Sequence, residues 1–451
     1  MRAAALLTFL LLAGAATSAS ARPADVDCLV GAYTAGRDSL ALVRTPDDPK
    51  SLRFVLASGQ TGFLHPQADG ALAAEVQGPA GPLAARLDAA SCEAPTVRLT
   101  LGGRAETWTR QRLERRRVRF DSDGVSLAGQ LIRPAGASGR LPVVVFTHGS
   151  EAYAAIDVNP VPLLLATKGI AAFVYDKRGT GDSRGQYTQD FVRLGEDGAH
   201  AMAEARRLTQ GWSGRVGVFG ASQGGWIAPY VARKAHAAFV VVGYGVVGTP
   251  LEQDIWQVDY ELAHLPLDTT HQAQDEVHRV TAVTAQIAAS DFRQHLQDLD
   301  TLRADYGGRP WFSRIEGQYT GELLRGEIDR ARKESPQVPW NYDSLAVLNG
   351  VSAPQLWMMA QEDSIAVSAP SVRRLEKLQR EGKPIDLAIF PDTDHGIRTF
   401  RYGPDGKRIY TGIAPGYIQM TADWVKGRLS KSYGRAKLEP APAPRRAGGV
   451  L

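Results

Sequence analysis

Six short apolar runs punctuate the chain downstream of residue 140: Val143 to Thr147, Ala171 to Tyr175, Val216 to Phe219, Ala238 to Val242, Leu356 to Ala360 and Leu387 to Phe390. Each is continuous rather than alternating, and each is too short for a typical helix. Strands read this way when both of their faces are buried, as in a parallel sheet covered by helices on each side. Between the runs, Glu196 to Leu208 and Gly225 to Lys234 have helical composition and spacing. The pattern predicts an open α/β sheet, whose reactive groups belong at the carboxyl ends of its strands. Just upstream, Val118 to Pro134 reads as two alternating strands joined by an Asp123-Gly124 turn.

Two intervals break the rhythm. Residues 248–342 are polar, rich in Gln, Asp, His and Arg, and long enough for several helices, such as Thr270 to Ala288 and Ile315 to Lys333. An insertion of that size between two strands is expected to pack over their carboxyl ends as a lid. Its aromatics Trp256, Tyr260, Trp311, Phe312, Tyr319 and Trp340 are read chiefly as the lid's own core, with a lining role in a cleft as the alternative. Residues 22–112 hold short alternating stretches such as Ser51 to Leu56 and Thr96 to Leu101, the mark of a small strand-rich module. Phe63-Leu64-His65-Pro66 fits a turn between its strands, and nothing in the module looks chemical.

The first 21 residues carry Met1-Arg2, an apolar stretch from Ala3 to Ala16 and the small residues Ala19-Ser20-Ala21, the layout of a secretory signal peptide. That stretch is shorter than a bilayer span and nothing else in the chain reaches such a length, so an exported protein of the periplasm or the medium is expected. Cys28 and Cys92 are the only cysteines. In an exported chain the pair permits one disulfide across the N-terminal module, against the alternative of two buried thiols. A formal charge of +4 over 451 residues is small. The basic stretch Thr109 to Arg119 alternates with apolar and acidic residues and lacks interleaved aromatics, so it reads as a solvated linker or edge strand rather than a nucleic-acid or membrane surface. Residues 436–451 are read as a flexible tail.

The chemistry concentrates in Gly220-Ala221-Ser222-Gln223-Gly224-Gly225, which follows the run Val216 to Phe219 and precedes a helical segment. Small residues two before and two after a serine let the backbone turn tightly from strand to helix, lifting Oγ off the sheet edge. A glycine-rich connection without chemistry is the alternative. A serine hydroxyl needs a base, and the base an orienting acid. Asp363 follows the strand Leu356 to Met359, and His395 follows the strand Leu387 to Phe390. Three residues on loops after three separate strands reach one sheet edge. Glu362 competes with Asp363, while Asp392 and Asp394 read as capping or loop-stabilising groups. For the oxyanion, the backbone amide of Gln223 is paired with that of Ser150 in Phe146-Thr147-His148-Gly149-Ser150-Glu151, with Gly149 or Glu151 as alternatives by register. His148 is read as a support for that loop.

The stretch from about 118 to 430 resembles the α/β-hydrolase superfamily. Tyr175-Asp176-Lys177-Arg178-Gly179-Thr180-Gly181-Asp182-Ser183 is similar to the superfamily's D-x-R-G-x-G-x-S signature. With Thr147-His148-Gly149-Ser150, Gly220 to Gly225 and Asp394-His395-Gly396, the chain looks like secreted bacterial serine hydrolases near the dienelactone-hydrolase-like, acyl-esterase-like and prolyl-oligopeptidase-like branches. The resemblance implies Ser222 as nucleophile, Asp363 as acid and His395 as base. From the residues themselves, Asp176 and Arg178 are expected to fasten neighbouring loops by charged hydrogen bonds.

The sum is an α/β-hydrolase fold with a mostly parallel sheet over 113–247 and 343–435, a helical lid over 248–342 and the N-terminal module over 22–112. The expected activity is ester hydrolysis through an acyl-enzyme. A peptidase acting on short peptides, a thioesterase and a non-catalytic binding protein of the same fold are the alternatives. No metal or organic cofactor is called for, the expected partner is a small ester or short peptide, and a homodimer is left open.

Overall fold

The computed structural model describes residues 26–92, 94–265 and 271–442. The stretch expected to be a signal peptide, residues 1–21, and the last residues of the tail lie outside them.

The central sheet has nine strands. Six are parallel and lie side by side in the order Ala171–Tyr175, Leu141–Phe146, Ser213–Ala221, Val240–Gly243, Gln355–Ala360 and Ile385–Phe390. These carry the six apolar runs, and the stretches Val143–Phe146, Val216–Gly220, Val240–Gly243 and Gln355–Ala360 of the inner four are buried throughout because helices cover both faces. The chain starts in the middle of this set, moves out one way, then crosses back past its starting strand. That reversal leaves the ends of Leu141–Phe146 and Ser213–Ala221 adjacent, with Thr147 N–H donating to Phe219 O at 2.8 Å. A crevice outside the carboxyl ends at such a reversal is the expected place for a ligand.

The hairpin Leu113–Ser122 and Val125–Pro134 closes one edge antiparallel, turning at Asp123 and Gly124, both with positive φ. The basic stretch therefore belongs mostly to an edge strand, where Arg115 and Arg117 pair with Asp157. At the other edge Lys437–Glu439 adds an antiparallel strand, so the tail read as flexible from 436 onward begins ordered.

Between Val240–Gly243 and Gln355–Ala360 the lid is helical, beginning with Pro250–His264 and His271–Ala289. The first of these opens on a capping box, Thr249 and Glu252 each satisfying the other's backbone amide. The single helix expected over Ile315 to Lys333 is instead two, Thr320–Arg325 and Ile328–Glu334, because Gly326 adopts a left-handed conformation that ends the first. Trp311, Tyr319 and Trp340 are buried in the lid's core together with Phe292.

The N-terminal module is a closed eight-stranded antiparallel barrel running from Gly31–Ala35 to Arg104–Arg110, which pair to shut it. Phe63 to Pro66, expected as a turn, lies in the strand Thr61–Pro66 with Pro66 at its end. Cys28 and Cys92 are joined by a disulfide. Along Asp38–Arg44, Leu40 and Leu42 enter the barrel core while Ala41 and Val43, on the opposite face, pack with Leu164 and Leu165 of the helix Val161–Thr167. That strand is apolar on both faces because a second body covers it.

Candidate active site

Ser222 sits at the turn between the strand Ser213–Ala221 and the helix Gly224–Ala235, with φ of +54°. A non-glycine residue there is strained and is held by its surroundings: Ser222 N–H donates to Gly243 O at 3.0 Å. The tightness of the turn explains Gly220, where an added Cβ would lie 2.1 Å from Gly224 O.

Three loops converge on Ser222. His395 Nε2 lies 3.0 Å from Ser222 Oγ, and its Nδ1 lies 3.0 and 3.2 Å from the two carboxylate oxygens of Asp363. Asp363 is fully buried at the side chain, and its Oδ1 also accepts from the amides of Ile365 and Ala366 at 3.0 and 2.7 Å. The carboxylate is thus fixed by the backbone of its own loop and aims at the imidazole. Glu362 faces away from the imidazole, pairing with Arg408 at 3.3 Å. This is the relay in which an acid orients a base and the base reaches a hydroxyl.

The X-Pro dipeptidyl-peptidase (S15) family model matches residues 123–396, more than half of the chain, and spans all three of these loops. The chain belongs to this family. With the sheet order above, it is an α/β-hydrolase and a serine hydrolase. The quorum-quenching protein AidA of Acinetobacter baumannii (strain MDR-ZJ06) is 34% identical over 110 residues, 24% of this chain and 36% of that one. The chain thus spans about a third of the length of the curated relative it matches. Among solved structures, it is similar to the acylaminoacyl peptidase of Pyrococcus horikoshii at 18% identity and a TM-score of 0.41, covering 81% of this chain and 51% of that one. It is also similar to the Pyrococcus furiosus esterase Pf2001 at 16% identity and a TM-score of 0.42, covering 70% and 92%.

In this S15 member the helix start and the loop after Leu141–Phe146 face the serine together. The amide of Gln223 has no acceptor within the described residues and opens the helix that follows the serine. A Cβ on Gly149 would stand 3.6 Å from Ser222 Cβ, ordinary contact distance, and 2.6 Å from the Glu151 carboxylate, so the loop runs directly beside the serine with Glu151 folded over it. Ser150 lines the cavities on both sides of Ser222. Lys177, buried behind the loop, donates from Nζ to Gly149 O at 2.8 Å, and burial pulls its ammonium down to about 8. His148 is buried against the Tyr175 ring with Nε2 on the Tyr175 carbonyl, and burial pushes it down to about 3, leaving it neutral. Asp176 accepts from the amides of Ala155, Ile156 and Asp182, and Arg178 makes a two-pronged ion pair with buried Asp197. Both fasten loops.

Asp394 holds the loop-stabilising place expected of it, whereas Tyr244 carries no signal in the sequence. Asp394 is a buried hub that accepts from the amides of Ser364 and His395, from the hydroxyls of Ser364 and Tyr410, and from Arg408 at 2.8 Å. Burial would raise its carboxyl, but these donors outweigh it and bring it down to about 2. Through Asp394 the acid loop, the histidine loop and a hairpin, Arg398–Tyr402 with Arg408–Ile413, are tied together. Tyr244, at φ +43°, sets its ring edge-on to His395 with centroids 5.0 Å apart.

The barrel, in which the sequence shows no chemical motif, shares the cleft. Its strands form one wall of the cleft, a space of about 750 Å³, with Arg53, Phe63 and His65 facing Ser222, Tyr244 and His395. The hairpin after His395 docks on it, Ile413 N–H donating to Gly59 O at 2.7 Å and Arg401 to Gln77 at 2.9 Å. On the far side of Ser222 a second cavity is lined from the lid by Gln253, Gln318 and Trp340. Among the described residues no group of three or more His, Cys, Asp or Glu side chains is placed to hold a metal ion.

Proposed function

We propose that the protein hydrolyses carboxylic esters through a covalent acyl-Ser222 intermediate. The observation that carries this reading is the continuous contact from Asp363 through His395 to Ser222 Oγ. In the first half-reaction His395, its Nδ1–H held by Asp363, takes the Ser222 proton at Nε2 as Oγ attacks the carbonyl carbon. Negative charge gathers on the carbonyl oxygen, where the amides of Gln223 and Ser150 donate to it. His395 then gives its proton to the leaving oxygen and the C–O bond breaks. Water then attacks the acyl carbon as His395 takes its proton; the C–Oγ bond breaks, His395 returns that proton to Ser222 Oγ, and the acid leaves with Ser222 free.

Two open cavities flanking the serine accommodate an acyl group on one side and an alcohol on the other. Cleavage of short peptides is the second reading, favoured by the family's description as X-Pro dipeptidyl-peptidases. The test is fluorophosphonate labelling with peptide mapping, followed by turnover of matched 4-nitrophenyl esters and aminoacyl 4-nitroanilides. The expected result is one adduct on Ser222 and ester turnover, reduced at least about 10³-fold in Ser222→Ala. Faster turnover of the anilides would replace the ester reading by the peptidase, and full activity in Ser222→Ala would refute the mechanism.

A further inference from the structure

The barrel wall of the cleft carries a charge that the triad chemistry does not use. Along Leu52–Leu56, Leu52, Phe54 and Leu56 point into the barrel core, so Arg53 projects outward, into the cleft. Its Nε meets Thr61 Oγ1 at 3.3 Å, and among the described residues it makes no ion pair. From the opposite side Arg398 enters the same cleft. Its Nε donates to His395 O at 2.6 Å and its guanidinium lies 3.8 Å over the Tyr410 ring, again with no carboxylate partner among the described residues.

Neighbouring arginines are treated differently. Arg44 at the cleft rim pairs with Asp27, and Arg408 pairs with Asp394 and Glu362. The carboxylates that share the cleft are also placed elsewhere. Glu151 folds back over Gly149 and lies beside Lys177, Asp48 accepts from Ser51 and Lys50, and Asp47 stands exposed at the rim. Two half-buried guanidinium groups are thus left facing one space without an anion, near enough that Arg398 adds to the effect of burial in lowering the Arg53 ionisation. Such an arrangement is unfavourable in isolation and becomes favourable when an anion enters.

We propose that Arg53 and Arg398 form an anion subsite, and that the preferred substrate carries a carboxylate on the group lying against the barrel wall. The subsite rests on the ester-hydrolase reading above, and gives the barrel a part in choosing the substrate. The carboxylate takes the η nitrogens of both arginines, which anchors the scissile carbonyl at Ser222 without touching the triad carboxylate.

The test compares the 4-nitrophenyl half-ester of adipic acid, a monoanion, with its neutral methyl ester, which has the same leaving group and the same acyl chain. Wild-type kcat/KM should favour the anion by about tenfold or more at low ionic strength. That preference should shrink several-fold between about 0.05 and 0.5 M NaCl as screening grows. Arg53→Gln, which leaves every triad contact in place, should bring the ratio close to unity, and Arg53→Lys should keep part of it. Turnover of both esters with no preference for the anion, or an unchanged ratio in Arg53→Gln, overturns the subsite and leaves the hydrolase standing. The wild-type comparison decides the matter even if a variant fails to fold. No turnover of either ester together with no fluorophosphonate adduct on Ser222 overturns the hydrolase reading and the subsite with it.

Discussion

Asp394→Asn is the substitution whose consequence the structure defines best. Asparagine keeps the shape but removes the charge, and turns an amide N–H₂ toward groups that are themselves donors. Five donors lose a carboxylate acceptor: the Ser364 and His395 amides, the Ser364 and Tyr410 hydroxyls, and Arg408. Arg408 keeps Glu362 as its one carboxylate partner among the described residues, beside its bond to the Tyr260 hydroxyl. A carboxyl held at about 2 instead of 3.8 contributes about 2 kcal/mol at neutral pH, and stranding a buried partner charge raises the expected loss to about 3 kcal/mol. The sign follows from the depressed value. As pH falls, the unfolded chain takes up the proton first, so the contribution is complete above the ordinary value of 3.8 and is lost as pH falls towards 2. Urea unfolding of wild type and variant at pH 7, 5, 4 and 3 measures it. The midpoints should differ at pH 7 and 5 and converge as the solution is acidified. Because the amide of His395 hangs on this carboxylate, kcat/KM should also fall by about ten- to a hundredfold through misplacement of the base. Equal midpoints at pH 7, or two curves that fall in parallel to pH 3, would refute the assignment of Asp394 as the hub.

Three further outcomes are expected. Gly59→Ala would set a Cβ 2.2 Å from Ile413 O at a φ of +121°. It should cost about 2–4 kcal/mol and speed hydrogen exchange in the hairpin after His395, whereas Gly36→Ala, with open space around it, should cost only about 1 kcal/mol. Reducing the disulfide, or replacing both cysteines by serine, opens a loop spanning 64 residues, and thermal melts should register a loss of about 4 kcal/mol. Lys177, held by burial at about 8 against 10.5 in the unfolded chain, binds fewer protons when folded. Stability from this group should therefore rise as pH increases from 8 towards 10.5, and urea midpoints should show that rise flattened in Lys177→Met.

The parallel sheet was readable because burial on both faces leaves a continuous apolar run, a signal that survives without any partner strand in view. The same physics applies to Leu40-Ala41-Leu42-Val43, whose lack of alternation recorded that the barrel strand is covered inside and out. Ser222, Asp363 and His395 could be picked from the sequence because each follows a recognisable strand, and the structure brings the three into contact. Arg53, Tyr244 and Arg398 carry no such local mark. Their proximity to the serine arises from how the barrel closes and docks, which no local spacing encodes. The hairpin Arg398–Ile413 does alternate around Gly403-Pro404-Asp405-Gly406, a turn signal, but it falls after the last of the continuous apolar runs and pairs outside the central sheet.

The cleft draws one wall from residues 44–65 and its floor and opposite wall from residues 147–155, 222, 244 and 395–398. A chain made from its N-terminus therefore completes its barrel long before the hairpin that leans on it exists. Loop closures of more than three hundred residues must be settled before a substrate finds both a base and a wall. The reactive centre thus depends on contacts between segments made early and segments made late in synthesis. A chain clipped before residue 390 would lack both His395 and the hairpin that leans on the barrel.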